Sequence, residues 1–231
     1  MFKPKLLPTL IVLPLMITLV CLGNWQIERL HWKEALQKKI QERRSAEPIM
    51  LPNIVNNVDS LEFRRVMVSG QFHHELELYL VSRTFRGNVG INIVTPFMRI
   101  DNKKYLFINR GWAPLNYKGR KIPHINNNGE VQTVTGTFKV IRKRRPFLPE
   151  NEPQNNTWFY IDPSAMAESR GLRECEEYYI SIDPSQQHTY PTGASFVKNL
   201  YNHHLIYAVT WYSLSVALLL TYIFASRSSR D

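Results

Sequence analysis

The chain has 231 residues, a net charge of +10 and only two cysteines. Cys21 and Cys175 form no CxxC or CxxxC pair, which excludes a copper chaperone, a thioredoxin-like reductase and a covalently attached c-type haem. An uncharged apolar segment near each end excludes most soluble-enzyme readings as well.

The first of these segments runs from Leu6 to Leu22 and the last from Leu205 to Ala225. At about 1.5 Å per residue they reach roughly 26 and 31 Å, and a hydrocarbon core is about 30 Å thick. Leu6–Leu22 is long for a signal-peptide core, and no small-x-small cleavage site follows Val20. Leu19 and Val20 are not the small residues that precede a lipidated cysteine at Cys21. The reading is therefore two transmembrane helices, 6–22 and 201–225, bracketing one extramembrane domain over 23–200, with tails at 1–5 and 226–231. Lys3 and Lys5 in one tail, with Arg227 and Arg230 in the other, put both ends on the cytoplasmic or matrix side. The domain then faces the periplasm of a bacterial inner membrane, or the intermembrane space of a mitochondrion. Trp25, Tyr201, Tyr207, Trp211 and Tyr222 lie near the apolar boundaries, where amphipathic rings favour the interface.

Outside the tails the chain holds 25 Lys and Arg against 18 Asp and Glu. The cations cluster at Arg43-Arg44, Lys118-Arg120-Lys121 and Arg142-Lys143-Arg144-Arg145. A membrane-tethered, exported domain seldom meets nucleic acid, so lipid headgroups, acidic protein faces or a carboxylate ligand are the expected partners. A solvated basic surface accounts for the same clusters equally well.

Period-2 alternation dominates the domain. It predicts strands at Arg65–Phe72, Leu76–Val81, Ile91–Ile100, Tyr105–Asn109, Val131–Ile141, Trp158–Ile161 and Tyr178–Ile182. Turns are expected at Arg86-Gly87-Asn88, Asp101-Asn102 and Asn126-Asn127-Asn128-Gly129. One helix should continue from the membrane through Trp25–Arg44. Another should start at Asp162-Pro163 and run through Ser169, since Asp caps well and Pro suits the first turn. Pro146–Asn156 reads as a loop. The fold class is a membrane-anchored β-rich (α+β) domain, its core an antiparallel sheet or small barrel.

The chain contains no GxSxG, Walker loop or HExxH motif, and a non-enzymatic role is expected. His73-His74 sit on a predicted strand, so their side chains should diverge and serve the surface. One constellation stands apart. At the start of the second apolar segment, His204, Ala208, Trp211 and Ser215 follow i, i+4, i+7, i+11 spacing and share a helix face. An imidazole at a membrane boundary is costly unless it has a partner. Small Ala208 and Ser215 leave room either for a flat ligand or for a closely packed helix. An interfacial histidine bonded among headgroups fits the same residues.

Gly23-x-Trp25-Gln26-x-x-Arg29-x-x-Trp32-Lys33 follows the first apolar segment. Phe63-Arg64-Arg65-Val66, Gly70-x-Phe72, Val94-Thr95-Pro96-Phe97 and Asn109-Arg110-Gly111-Trp112-x-Pro114 come next. Trp158-Phe159-x-x-Asp162, Ala165-Met166-Ala167 and Asn202-x-His204-Leu205-x-Tyr207-Ala208-x-Thr210-Trp211 complete the series. In this order, between two terminal helices, the motifs resemble the surfeit locus protein 1 (Shy-like) family of cytochrome c oxidase assembly factors. The apolar segment lies almost at Met1, with no Arg/Ser-rich leader before it, so the resemblance is to a bacterial member.

What the resemblance implies is binding of haem a and its delivery to oxidase subunit I, alongside haem a synthesis or assembly factors. His204 is then the expected iron ligand. Tyr207, Trp211, Trp25, Arg29 and Arg110 are candidates for the rest of the haem site. Trp25, Gln26 and Arg29 are expected to form one helix face near His204. Arg110 offers a fork for a carboxylate, although a buried arginine paired with an acid such as Asp162 explains it equally well. Gly111 is expected to allow a tight bend or a close backbone approach after its strand. The alternative function is a tethered scaffold that grips a nascent oxidase subunit without haem.

Overall fold

A computed structural model describes residues 6–119, 129–142, 146–183, 190–193 and 202–228. Lys3, Lys5, Arg120, Lys121, His124, the Asn126–Asn128 turn, Lys143, Arg144, Arg145, His188, Tyr201 and Arg230 lie outside the described residues. The chain forms two compact units, one of residues 1–39 with 198–231 and one of residues 40–197.

The first unit is a pair of helices, α1 (Leu6–Ser45) and the last helix of the chain (His204–Ser228). Both are long and apolar enough to cross a membrane. As expected, α1 does not stop where its apolar stretch ends. It runs on through Trp25 and Arg44, because no proline or glycine pair interrupts Asn24–Ser45.

The second unit is built on a barrel. After the short β1 (Ile49–Met50) and α2 (Val58–Leu61) come β2 (Arg65–Phe72), β3 (Leu78–Phe85), β4 (Asn88–Arg99) and β5 (Tyr105–Pro114). Then follow β6 (Gln132–Val140), β7 (Thr157–Trp158), α3 (Pro163–Ser169) and β8 (Cys175–Ile182), and the chain ends in α4 (His204–Ser228). The order β2-β6-β8-β5-β4, with β4 returning to pair with β2 at Gly70–Phe72, closes five strands into a barrel. Closure removes the free edges that a small open sheet would expose. Not every pairing is antiparallel: β5–β8, β1–β2 and β3–β7 are parallel.

The alternation in β2 sends Val66, Val68 and Phe72 inward, as their spacing predicts. They meet Phe97, Leu106, Ile108, Val134, Phe138 and Ile180 in the barrel core. Tyr105–Asn109 is less regular in sequence because both of its faces are covered. Leu106 and Ile108 join the barrel core, while Phe107 joins a second core with Leu78, Leu80, Val94, Trp158 and Met166. α3 seals that second core with Met166 and Ala167, and a buried side chain of Met166's size contributes about 1.5–3 kcal/mol. Asp162 caps α3 by accepting from the Ala165 N–H at 3.1 Å, and Pro163 opens its first turn.

Three strand assignments change. Leu76 belongs to a 3-10 turn (His74–Leu76) and β3 starts at Leu78. Ile161 lies outside β7, which keeps only Thr157 and Trp158. β5 continues well past Asn109, through a bulge: Val94 faces Asn109 and Ile93 faces Gly111, so Arg110 is the extra residue. Gly111 is therefore inside the strand, not beyond it. Its φ is +109°, and a Cβ there would lie 2.1 Å from the backbone of Gly193, so the close approach does occur.

Candidate functional site

His204 is the first residue of α4, and Asn202 Oδ1 accepts from its N–H at 3.4 Å. Its Nδ1 lies 2.7 Å from Gln26 Oε1 on α1. An amide oxygen can only accept, so this bond places the proton on Nδ1 and leaves the Nε2 lone pair for another partner. The face that starts at His204 continues with Ala208, which is 1% exposed, and Ser215, which is 5% exposed. The same stripe of α4 carries Tyr212, whose hydroxyl donates to Asn24 Oδ1 at 2.7 Å, and Tyr222, bonded to Thr9 at 2.5 Å. Gly23 leaves the Tyr212 ring its place, for a Cβ there would meet it at 2.4 Å. The space beside the small residues is thus filled by α1. Of the two uses the sequence leaves open, close helix packing is the one observed.

Trp211 lies on this face, and its indole Nε1 is buried with no hydrogen-bond partner among the described residues. Tyr207 points away and is 55% exposed. Trp25 and Arg29 also depart from expectation. They do not share the Gln26 face: Trp25 and Trp32 are exposed, with the Arg29 guanidinium over both rings at 5.8 and 5.6 Å. Gln26 is about 100° round the helix from Trp25 but only about 60° from Arg29, so it is the placement of the Arg29 guanidinium on the tryptophan rings, not the helix repeat, that sets it apart from Gln26. Among the described residues no three His, Cys, Asp or Glu gather as a metal-binding group.

Arg110 belongs to the barrel unit. Its Nη1 donates to Glu77 Oε1 at 2.8 Å and its guanidinium lies over the Phe72 ring at 5.7 Å. The acidic partner is therefore Glu77, and Asp162 is occupied as the cap of α3. Burial pulls the Arg110 guanidinium down from its usual range and Glu77 pulls it partly back. His74 completes the cluster. It stacks on Phe72 at 5.2 Å, with Nδ1 3.4 Å from Glu77 Oε1, and only 12% of its side chain is exposed. The surface role expected for His74 does not hold. His73 precedes and His74 opens a 3-10 turn rather than a strand, so alternation does not separate them.

Two features escape a reading of the sequence. Glu77 is one acid among several near β3, and only the fold shows that it gathers Arg110, His74 and Thr95. Arg99 is wholly buried, bonded to Asp101, Glu176, the Tyr178 hydroxyl and the Pro52 carbonyl. A signal for Arg99 was present: it follows Phe97 at period 2 and so takes a core-facing position.

Residues 13–216 match the SURF1 family. The chain is 34% identical over 229 residues to surfeit locus protein 1 of Gallus gallus, covering 90% of this chain and 71% of that protein. It is 34% identical over 228 residues to surfeit locus protein 1 of Homo sapiens, covering 90% and 73%. It is 29% identical over 225 residues to a SURF1-like protein of Rickettsia felis (strain ATCC VR-1525 / URRWXCal2), covering 95% and 96%. With a match from residue 13 to residue 216 and relatives along nine-tenths of its length, the chain belongs to the SURF1 family.

Proposed function

We propose that this protein is a membrane-anchored assembly factor for cytochrome c oxidase that binds haem a through His204 and assists its insertion into subunit I. The observation that carries the reading is the Gln26–His204 bond. A second residue that holds Nδ1–H fixes the tautomer and aims Nε2, which is how ligating histidines are oriented. The neighbouring Trp211 N–H supplies a donor without a partner among the described residues. Because α1 fills the face below His204, a flat ring would approach at the first turn of α4. Haem would supply an iron that the His204 imidazole could ligate, and two carboxylates that would need donors such as the Trp211 N–H. In this reading Trp25, Arg29 and Tyr207 act as interfacial anchors, and Arg110 holds the barrel together.

By the positive-inside rule both tails face the cytoplasm and the barrel faces the periplasm, or the matrix and intermembrane space in a mitochondrion. Reporter fusions before Met1 and after Asp231 should be active only in the cytoplasm, and a fusion at Asn127 only in the periplasm. A periplasmic C-terminus would overturn the hairpin.

The test of ligation is the full-length protein purified from a host that makes haem a. A Soret band in wild type that is lost in His204→Ala and kept in His203→Ala supports the reading. Wild type without haem, together with a loss of oxidase activity on deletion, leaves the scaffold function instead. That alternative draws on one observation: Val209, Val216 and Leu220 line an open apolar groove on α4 that another transmembrane helix could fill.

A further inference from the structure

A pocket of about 270 Å³ opens on the barrel's outer wall, beside the second core. Arg83 of β3, Asn92 of β4, Asn109 of β5 and Tyr179 of β8 converge on it, with Tyr160 and Arg142 also lining it. No Asp or Glu is among the described residues that line it.

Arg83 differs from the arginines that hold the unit together by ion pairs. The guanidiniums of Arg65, Arg99 and Arg110 each hold a carboxylate. That of Arg83 donates through Nη2 to the Phe159 carbonyl oxygen at 2.8 Å and forms no ion pair among the described residues. A largely buried cation without an anion is costly, and the fork still has donors to offer. Burial pulls Arg83 below its usual range.

The neighbours are donors as well. Asn109 Oδ1 accepts from the Gly111 N–H at 3.0 Å, so the side chain turns its Nδ2 donors to other partners. Burial pushes the Tyr179 phenol up, which keeps its O–H protonated at neutral pH. Arg142 sits at the rim, largely exposed, bonded to Glu62. A concave site lined by a guanidinium, a phenol O–H and an amide NH2, with no carboxylate to fill it, is complementary to an oxyanion. Its volume is below the roughly 300–1,000 Å³ of sites for drug-sized ligands, so the ligand is small. The net positive charge of the domain favours an anion from a distance as well.

We propose that this pocket binds the oxyanion group of a small ligand, a carboxylate or a phosphate, with Arg83 as the charged fork and Tyr179 and Asn109 as neutral donors. The site is separate from the His204 reading and does not depend on it.

The experiment titrates full-length protein in detergent micelles with sodium phosphate and, separately, with sodium succinate at constant ionic strength, followed by calorimetry. Saturable binding of either anion is expected, and the anion that saturates identifies the source. Arg83→Gln should weaken it more than about tenfold, since a charge-assisted contact is lost. Tyr179→Phe removes one hydroxyl and no volume of note, and should weaken it about fivefold. Should Arg83→Gln fail to fold, Tyr179→Phe decides: weakened binding supports the site and unchanged affinity overturns it. Failure of both anions to saturate wild type overturns it outright.

Discussion

The helix pair and the barrel bury polar groups by opposite rules. In the barrel the most buried arginines are matched with carboxylates, Arg99 with Asp101 and Glu176 and Arg110 with Glu77, while Arg83 holds a backbone carbonyl instead. Between α1 and α4 the hydrogen bonds among the described residues join neutral groups, Gln26 with His204, Asn24 with Tyr212 and Thr9 with Tyr222. Neutral hydrogen bonds and small residues such as Gly23 and Ala208 are the means by which helices associate where no water drives them together. Arg99 is bonded through Nε, Nη1 and Nη2, whereas among the described residues the buried Trp211 N–H of α4 and the buried His74 Nε2 of the barrel have no partner.

The sharpest way to break that contrast is Arg99→Met. Its removal leaves Asp101 and Glu176 without a counter-charge and should cost the barrel about 3–5 kcal/mol. Thermal unfolding of the detergent-solubilised protein, read by near-ultraviolet circular dichroism, measures this. His204→Ala in the same assay should leave the barrel transition in place, because no barrel core residue depends on it. A wild-type melting profile for Arg99→Met would mean that the charge cluster does not hold the barrel.

Glycines extend the comparison at a smaller scale. Gly111→Ala forces a left-handed φ on a residue with a Cβ and drives that Cβ into the Gly193 backbone. A loss of at least about 1–3 kcal/mol is expected, since neither backbone can step aside. Gly23→Ala meets the Tyr212 ring instead, and a ring can swing. Its expected effect is loss of the Tyr212–Asn24 bond with little change in overall stability, visible as increased protease access to the helix pair.

Lys139 supplies a pH test confined to the barrel. It is buried with its ammonium 4.7 Å from the centre of the Phe63 ring, and burial, with Arg44 and Arg142 adding to it and Glu62 opposing, pulls it down to about 7. The unfolded chain keeps the proton to the ordinary lysine value while the folded chain releases it near pH 7. Between those values the unfolded state binds more protons, so this group makes stability rise with pH, by at most about 1.4 kcal/mol per unit. Below pH 7 both states are protonated and the burial penalty is felt in full. The difference in melting temperature between wild type and Lys139→Met should therefore shift in favour of wild type from pH 7 to pH 9. A flat difference would place the Lys139 ammonium in water.

The legible part of the fold was what periodicity writes directly. The two apolar spans, the inward face of β2, the Asp162 cap and the four-residue rhythm of His204, Ala208, Trp211 and Ser215 all depend on neighbours within a few positions. What stayed hidden depends on pairs distant in sequence. Glu77 and Arg110 are joined only because β4 lies between β3 and β5, and the bulge at Arg110 is set by the register with Ile93 and Val94. Gln26 was legible as a motif residue, but its grip on His204 needs the antiparallel pairing of α1 and α4. Trp25 departs from the Gln26 face because a helix turns about 100° between neighbours, whereas Arg29, at i+3 from Gln26, departs because its guanidinium settles over the two tryptophan rings.

That departure yields the smallest expected effect. Arg29 lies over Trp25 and Trp32 on an exposed face of α1, and an exposed cation–π contact contributes about 0.5–1 kcal/mol. Arg29→Gln should therefore leave the barrel transition unchanged. Under the proposed haem-binding function it should also leave haem retention unchanged, because the Arg29 guanidinium is turned to the tryptophan rings while Gln26 holds His204. The tryptophan emission of the protein should shift, as two rings lose the cation above them. Haem loss as complete as in His204→Ala, with no change in emission, would mean that Arg29 turns toward the ligand, and the separation of the two faces would then be wrong.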